Sequence, residues 1–353
     1  MDERVLRWIT LFTGILTAVI CLGVYYSPEI RLWEVLAAEQ TSTDELIKNL
    51  PQPVVTTAPE NVVEEEAVSK GQLQIGLPQM LREDQVELTN DYLSQTLFIR
   101  FAGGVSDYFA EYGMRGKSDH IASLSYYKDG DFGVIALQMD RVYEYSCVME
   151  QGNLYLDFTD PHEIYEKVVV VDAGHGGIAT GSVKRGTAEK DINLAILLEL
   201  KEIFEESGEN IGVYYTRLTD NNPTLDQRVQ LANKSNADLF ISIHNNANIS
   251  GNFSRANGTS VLYSESDQSE LSSKRFAQIC LDQVVEGLKS TRRGVFEGDQ
   301  IYIIRTSDVP VALIEVGFMT NEAELDKLVD TKYQRKAAKS IYKAVLQAFQ
   351  EGF

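Results

Sequence analysis

The chain has 353 residues, 44% of them hydrophobic, enough for two or three domains with ample cores. Its formal charge of −20 argues against binding nucleic acid through the phosphate backbone. The three cysteines are far apart and form no CxxC pair, so a disulfide framework is not expected and buried structural thiols are expected at Cys21, Cys147 and Cys280.

The N-terminus sets the compartment. Residues 8–28 carry no charge and are mostly Ile, Leu, Val, Phe, Ala and Thr. That run matches the ~20 residues a helix needs to cross a bilayer. Arg4 and Arg7 precede it, which favours a cytoplasmic N-terminus and an exported remainder, and Trp8, Tyr25 and Tyr26 stand at interfacial positions. The run exceeds a usual signal h-region, so residues 1–33 read as an uncleaved transmembrane anchor in the cytoplasmic membrane. A cleaved signal and secretion are the alternative. Residues 34–72, with Pro51, Pro53, Pro59 and the acidic Glu64-Glu65-Glu66, read as a linker.

Residues 73–166 change to short apolar and aromatic runs at 96–101, 121–127, 132–139, 142–149 and 154–158. Gly and Asp turns separate them, which predicts a small all-β domain of sandwich type. His120 and His162 stand alone there and read as ordinary surface or core residues.

From residue 167 to 353 strand and helix alternate. Val168 to Val171 form a run buried on both faces, followed by a helix over 193–207 closed by Gly208. Then come a strand over 211–217, a helix begun by Thr224, strands over 238–244 and 258–264, and a helix over 269–289. Strands over 301–305 and 309–316 and a helix over 331–351 complete the chain. The pattern predicts an α/β catalytic domain, a mixed, largely parallel sheet with helices on both faces.

Two of the four histidines, His175 and His244, end apolar strands of this domain. Parallel neighbours would bring those ends together, where α/β folds keep their chemistry. Glu189, in a loop just before the 193–207 helix, could complete a His-Glu-His set with an open position for water, the catalytic form of a zinc site. Glu315 lies between Ile314 and Val316, a costly place for a carboxylate unless it is paired or put to use. Beside a metal-activated water it would serve as general base and later acid; otherwise it is a buried ion-pair partner. No HExxH helix is present, which disfavours a thermolysin-like peptidase.

Four segments together resemble the zinc-dependent N-acetylmuramoyl-L-alanine amidases of bacterial cell-wall turnover. They are Val169-Val-Val-Asp-Ala-Gly-His-Gly-Gly177, Glu189-Lys-Asp-Ile-Asn-Leu194, Ser242-Ile-His-Asn-Asn-Ala247 and Ile314-Glu-Val-Gly-Phe-Met-Thr-Asn321. Thr216-Arg217, the helix bearing Arg228, Ala232 and Asn233, and Arg293-Gly294-Val295 are secondary matches. The resemblance implies that His175, Glu189 and His244 ligate Zn²⁺ and that Glu315 is the catalytic carboxylate. It also implies peptidoglycan as substrate, cut between the lactyl group of N-acetylmuramic acid and L-alanine of the stem peptide. An inactive wall-binding relative and a different zinc hydrolase remain the competing readings. Asn246 stands where the motif often has alanine. The short connection between the 258–264 strand and the next helix leaves no room for the helical insertion that covers the zinc in some relatives. The β-domain resembles, more loosely, the wall-targeting module called AMIN, through its position and the ending Leu154-Tyr155-Leu156-Asp157-Phe158.

Overall fold

The computed structural model describes residues 71–78, 81–116 and 119–353, with the backbone of two short strands at 56–57 and 63–64. The anchor expected at residues 1–33 lies outside the described residues, as does most of the linker and Cys21. Among the described residues no helix is long and apolar enough to cross a membrane.

The N-terminal half is a pair of five-stranded sheets. Its strands are β1 (Thr56–Thr57), β2 (Val63–Glu64), β3 (Leu73–Gly76), β4 (Val86–Asp91), β5 (Thr96–Ala102), β6 (Met114–Gly116), β7 (Ile121–Asp129), β8 (Phe132–Met139), β9 (Glu144–Glu150) and β10 (Asn153–Thr159). The sheet orders are β1-β7-β8-β5-β4 and β2-β6-β3-β10-β9. Alternate residues such as Leu73, Ile75, Leu97, Ile99, Phe101, Leu154 and Leu156 face one shared core, the period-2 pattern of a sheet buried on one side. β1 and β2 fall inside the stretch read as linker. They pair with β7 and β6 through the backbone, which a Pro-rich, acidic composition does not advertise. Two helical turns, α1 (Tyr108–Glu111) and α2 (Pro161–Ile164), are capped by Asp107 and Asp160. Cys280 is buried as expected, but Cys147 is exposed, because β9 is a sheet edge whose middle residues face solvent.

The C-terminal half is built on β11 (Lys167–Ala173), β14 (Ile211–Tyr215), β15 (Leu239–Asn246), β16 (Thr259–Tyr263), β17 (Arg292–Glu297) and β18 (Val311–Phe318), with a two-stranded ribbon of β12 (Val183–Lys184) and β13 (Thr187–Ala188) beside it. The large sheet has the order β14-β11-β15-β18-β16-β17. β14, β11, β15 and β18 run parallel, and β16 reverses against β18. Its helices are α3 (Glu189–Ser207), α4 (Leu225–Lys234), α5 (Ser273–Leu288), α6 (Tyr302–Arg305), α7 (Glu322–Leu328) and α8 (Thr331–Gln350).

The four-valine run of β11 shows why both faces must be apolar. Val169 and Val171 pack with α3, α5 and α8, while Val168 and Val170 pack with α4, α6 and with Val142, Tyr92 and Leu93 of the β-half. Each valine is fully buried, worth roughly 1.5–3 kcal/mol apiece. The two halves also share polar contacts: Glu144 accepts hydrogen bonds of 2.7 Å from both Tyr92 and Tyr214.

Gly208 ends α3 in the left-handed region at φ 71°, and Thr224 with Gln227 forms a capping box on α4. One expected strand is a helix instead. Residues 302–305 close a helical turn, with the Arg305 and Thr306 amides donating to the carbonyls of Ile301 and Tyr302. So short an apolar run carries no period with which to tell the two apart.

Candidate metal centre and active site

The sheet changes winding direction between β11 and β15. From β11 the chain goes to β14 on one side, then returns to place β15 on the other. A crevice outside the carboxyl ends of strands at such a switch is the usual site in an open α/β sheet. His175 leaves β11 at that point and His244 lies near the end of β15.

Glu189 is the first residue of α3 rather than a loop residue, and its side chain turns in between the two rings. Its Oε1 is 3.3 Å from His175 Nε2 and 3.1 Å from His244 Nδ1, and the candidate donor atoms of the three residues all lie within 4.8 Å of one another. The rings are 4.9 Å apart at 75° to each other. A tetrahedral ion with bonds of ~2.1 Å sets its ligands about 3.4 Å apart, so two imidazoles and one carboxylate at these spacings fit a zinc-type ion. The backbone amides of Asn245 and Ser182 donate to Glu189 Oε1 and Oε2, at 3.1 and 3.0 Å, which fixes the carboxylate. Burial alone would raise the affinity of Glu189 for a proton; the His175 and His244 imidazoles outweigh it and hold the carboxyl well below its ordinary value.

Glu315 pairs in register with His244 across β15 and β18. Its Oε2 is sealed from solvent and has no hydrogen-bond partner. Burial first, then the charge of Glu189, pushes its carboxyl up to about 8, with His175 pulling the other way. An orphaned carboxylate oxygen beside a ligand cluster is where a missing proton partner is expected.

Two glycines make the cluster possible. A Cβ at position 174 would stand 2.1 Å from His244 Nε2, and one at 181 would stand 2.6 Å from Glu189 Oε2. Gly174 therefore makes room for an imidazole rather than for substrate. His175 itself sits at φ 63°, the left-handed region that a non-glycine enters at a cost of roughly 1 kcal/mol or more.

Two buried arginines hold that turn in place. Arg228 donates from Nη1 to Asp172 Oδ1 at 2.6 Å and from Nη2 to the His175 carbonyl at 2.7 Å. Arg217 donates from Nε to the Ala173 carbonyl at 2.8 Å and from Nη2 to the Gly174 carbonyl at 3.1 Å. Asp172 also accepts from Thr216 and Ser242. Burial pushes the Asp172 carboxyl up, but Arg228 and the two hydroxyls outweigh it and leave the carboxyl below its ordinary value. Asn193 reaches the Gly174 carbonyl and receives a bond from Asn245. Sequence reasoning gave these supports no role. Two signals were available: Thr216, Arg217 and Arg228 fall in the secondary family matches, and Glu189 and Asn193, four apart, share a face of α3.

His120 and His162 take no part in the cluster. The first packs its ring against Tyr143, and the second lies 2.9 Å from the Asn236 carbonyl.

Comparison with known proteins falls on this half of the chain. The family profile described as N-acetylmuramoyl-L-alanine amidase matches residues 169–347. An uncharacterised protein of Bacillus subtilis, YqiI, is 40% identical over 51% of this chain and 83% of its own length. The germination-specific N-acetylmuramoyl-L-alanine amidase of the same organism is 34% identical over 52% of this chain and 81% of its own. A solved N-acetylmuramoyl-L-alanine amidase from Clostridium difficile 630 is 33% identical, covering 53% of this chain and 98% of that one with a TM-score of 0.49.

Proposed function

The chain belongs to the N-acetylmuramoyl-L-alanine amidase family, and on that premise we propose that His175, Glu189 and His244 hold Zn²⁺ while Glu315 moves the proton. It is a peptidoglycan hydrolase that cleaves the amide between the lactyl group of N-acetylmuramic acid and L-alanine of the stem peptide. The observation that carries the residue assignment is the meeting of three donor atoms within 4.8 Å beside a carboxylate oxygen that has no partner.

When bound, the metal supplies a Lewis acid that polarises the scissile carbonyl and eases the deprotonation of water. Glu315 Oε2 accepts the water's proton and returns it to the departing alanine nitrogen. With an ion held by the three ligands, Glu315 would lose part of its raised proton affinity and could work as a base. Asn245 and Ser182 keep Glu189 oriented, and Arg217 and Arg228 keep the His175 turn from relaxing. Digesting purified peptidoglycan and identifying the new ends tests the whole reading. Free muramoyl lactyl groups with L-alanine amino termini are expected. No cleavage would indicate an inactive wall-binding relative, and cuts inside the peptide a different hydrolase.

The relatives described as cell wall amidases support action outside the cytoplasm. The apolar run at residues 8–28 supports tethering to the cytoplasmic membrane. Alkaline phosphatase fused after Gln72 is expected to be active; an inactive fusion refutes this topology. The β-sandwich is proposed as a wall-targeting module on the strength of its place before the hydrolase. Cross-linking the Glu315→Gln chain to purified sacculi should mark residues 73–159, and cross-links confined to the C-terminal half would remove that role.

A further inference from the structure

The sheet carries an open cleft of about 760 Å³ on the β16–β17 side of Glu315, lined by Asn246, Ser260, Arg293, Phe296, Glu297 and Gln300 among others. Its position relative to the chemistry follows from register. Ser260 pairs with Glu315 on one side and with Gly294 on the other, so one row across the sheet joins the proposed proton carrier to the residue after Arg293. With strands ~4.8 Å apart, the backbone of Arg293 starts about 10 Å from that of Glu315. Asn246, at the other wall, is two residues beyond His244.

Arg293 is the unusual member of this lining. The chain has 52 acidic and 32 basic residues, and the adjacent Arg292 is paired with Asp282. Arg293 has no carboxylate partner among the described residues: its guanidinium lies 4.9 Å from the Phe318 ring centroid and its Nη1 donates to the Asn257 carbonyl at 3.3 Å. A guanidinium laid on an aromatic face keeps its planar fork of N–H groups available in one orientation, the geometry that recognises a carboxylate. Glu297, the acidic residue of the same cleft, is four positions further along β17, roughly 13 Å at ~3.3 Å per residue, too far to neutralise it.

We propose that Arg293 is a specificity-determining residue that pairs with the free α-carboxylate of the second stem-peptide residue, a glutamate linked onward through its side chain. The proposal rests on the amidase reading of the site. An extended peptide advances about 3.3–3.6 Å per residue, so two residues beyond the scissile carbonyl span about 7 Å, and the arginine side chain bridges the rest of the ~10 Å. Stem peptides in which this carboxylate is amidated are then the poorer ligands, because they offer the guanidinium a neutral group in place of an anion.

The test measures binding rather than turnover. Calorimetry on the zinc-loaded full chain bearing Glu315→Gln is carried out with two probes, N-acetylmuramoyl-L-alanyl-D-glutamate and N-acetylmuramoyl-L-alanyl-D-isoglutamine. The first is expected to bind at least about tenfold tighter, as a charge-assisted pair requires. Adding Arg293→Gln should bring the two dissociation constants within about twofold, and Arg293→Lys should keep part of the preference. Equal affinity for the two probes, no binding of either, or a preference that survives Arg293→Gln would overturn the proposal. The amidase reading is judged separately, by the ends the wild-type chain releases from whole peptidoglycan, so the two can fail independently.

Discussion

The two halves of this molecule are built to similar standards of apolar packing and differ in what else they bury. In the β-half, tyrosines such as Tyr108 and Tyr126 apart, whose hydroxyls donate to backbone carbonyls, Thr96 is the one polar residue buried among the described residues. The C-terminal half buries Asp172, Glu189, Asn193, Arg217, Arg228 and Asn245 around a single turn. Burying such groups costs several kcal/mol unless each finds a partner, and here about half of the partners are other members of the same set or backbone carbonyls of the 172–175 turn. Polar groups are thus concentrated where geometry must be held, and left out where packing alone suffices.

The contrast is sharpest at Glu315. Glu315→Gln is expected to keep the metal and lower turnover about 10³-fold, within the usual range for a general acid–base group. Metal content and released L-alanine termini are read together; loss of metal with activity would make Glu315 a ligand. Next in size is Asp172→Ala, which strands Arg228 without its carboxylate and should cost roughly 3–5 kcal/mol in a thermal or denaturant melt. Loss of under 1 kcal/mol would mean that the arginine's carbonyl contacts suffice. Gly174→Ala places a Cβ against His244 Nε2 at a backbone angle alanine tolerates, so metal affinity should fall some 10–100-fold while the fold persists, measured by chelator competition.

Acid should separate the halves in the same sense. The folded-state value of Asp172 is depressed, so its contribution to stability is complete above the ordinary carboxylate value of ~3.9 and is lost as pH falls through the lower folded value. Acid melts of the wild type should therefore lose stability over that window, and Asp172→Asn should flatten the loss; an unchanged slope would locate the acid-sensitive group elsewhere. The smallest effect is expected where the halves meet. Tyr92→Phe removes one of two hydroxyls on Glu144 and should cost about 1 kcal/mol in a melt, with turnover unchanged.

Much of the C-terminal half was legible in the sequence because its signals are local. Val168 to Val171 are buried on both faces, Gly208 and Thr224 mark helix ends, and His175 and His244 sit at strand ends that a parallel sheet must align. The arginine supports were not legible in role, since nothing in the spacing of Asp172, Arg217 and Arg228 tells which carbonyls they will reach. Residues 302–305 misled because so short a run, Tyr302-Ile303-Ile304 followed by Arg305, fits a strand or a helical turn equally. The strands β1 and β2 escaped because edge pairing is a transaction of the backbone, indifferent to side-chain pattern.

The reversal of β16 against β18 has a consequence for how such a hydrolase can diversify. The segment 247–258 leaves the His244 end of β15 and enters β16 at that same end, without ever crossing the sheet. It is therefore a loop whose two feet both stand on the rim of the crevice. Lengthening it costs little, since doubling a loop adds only ~0.6 kcal/mol of closure entropy. Access to the site can thus be rewritten by evolution or by design at one place, as a porch is rebuilt without moving the walls behind it.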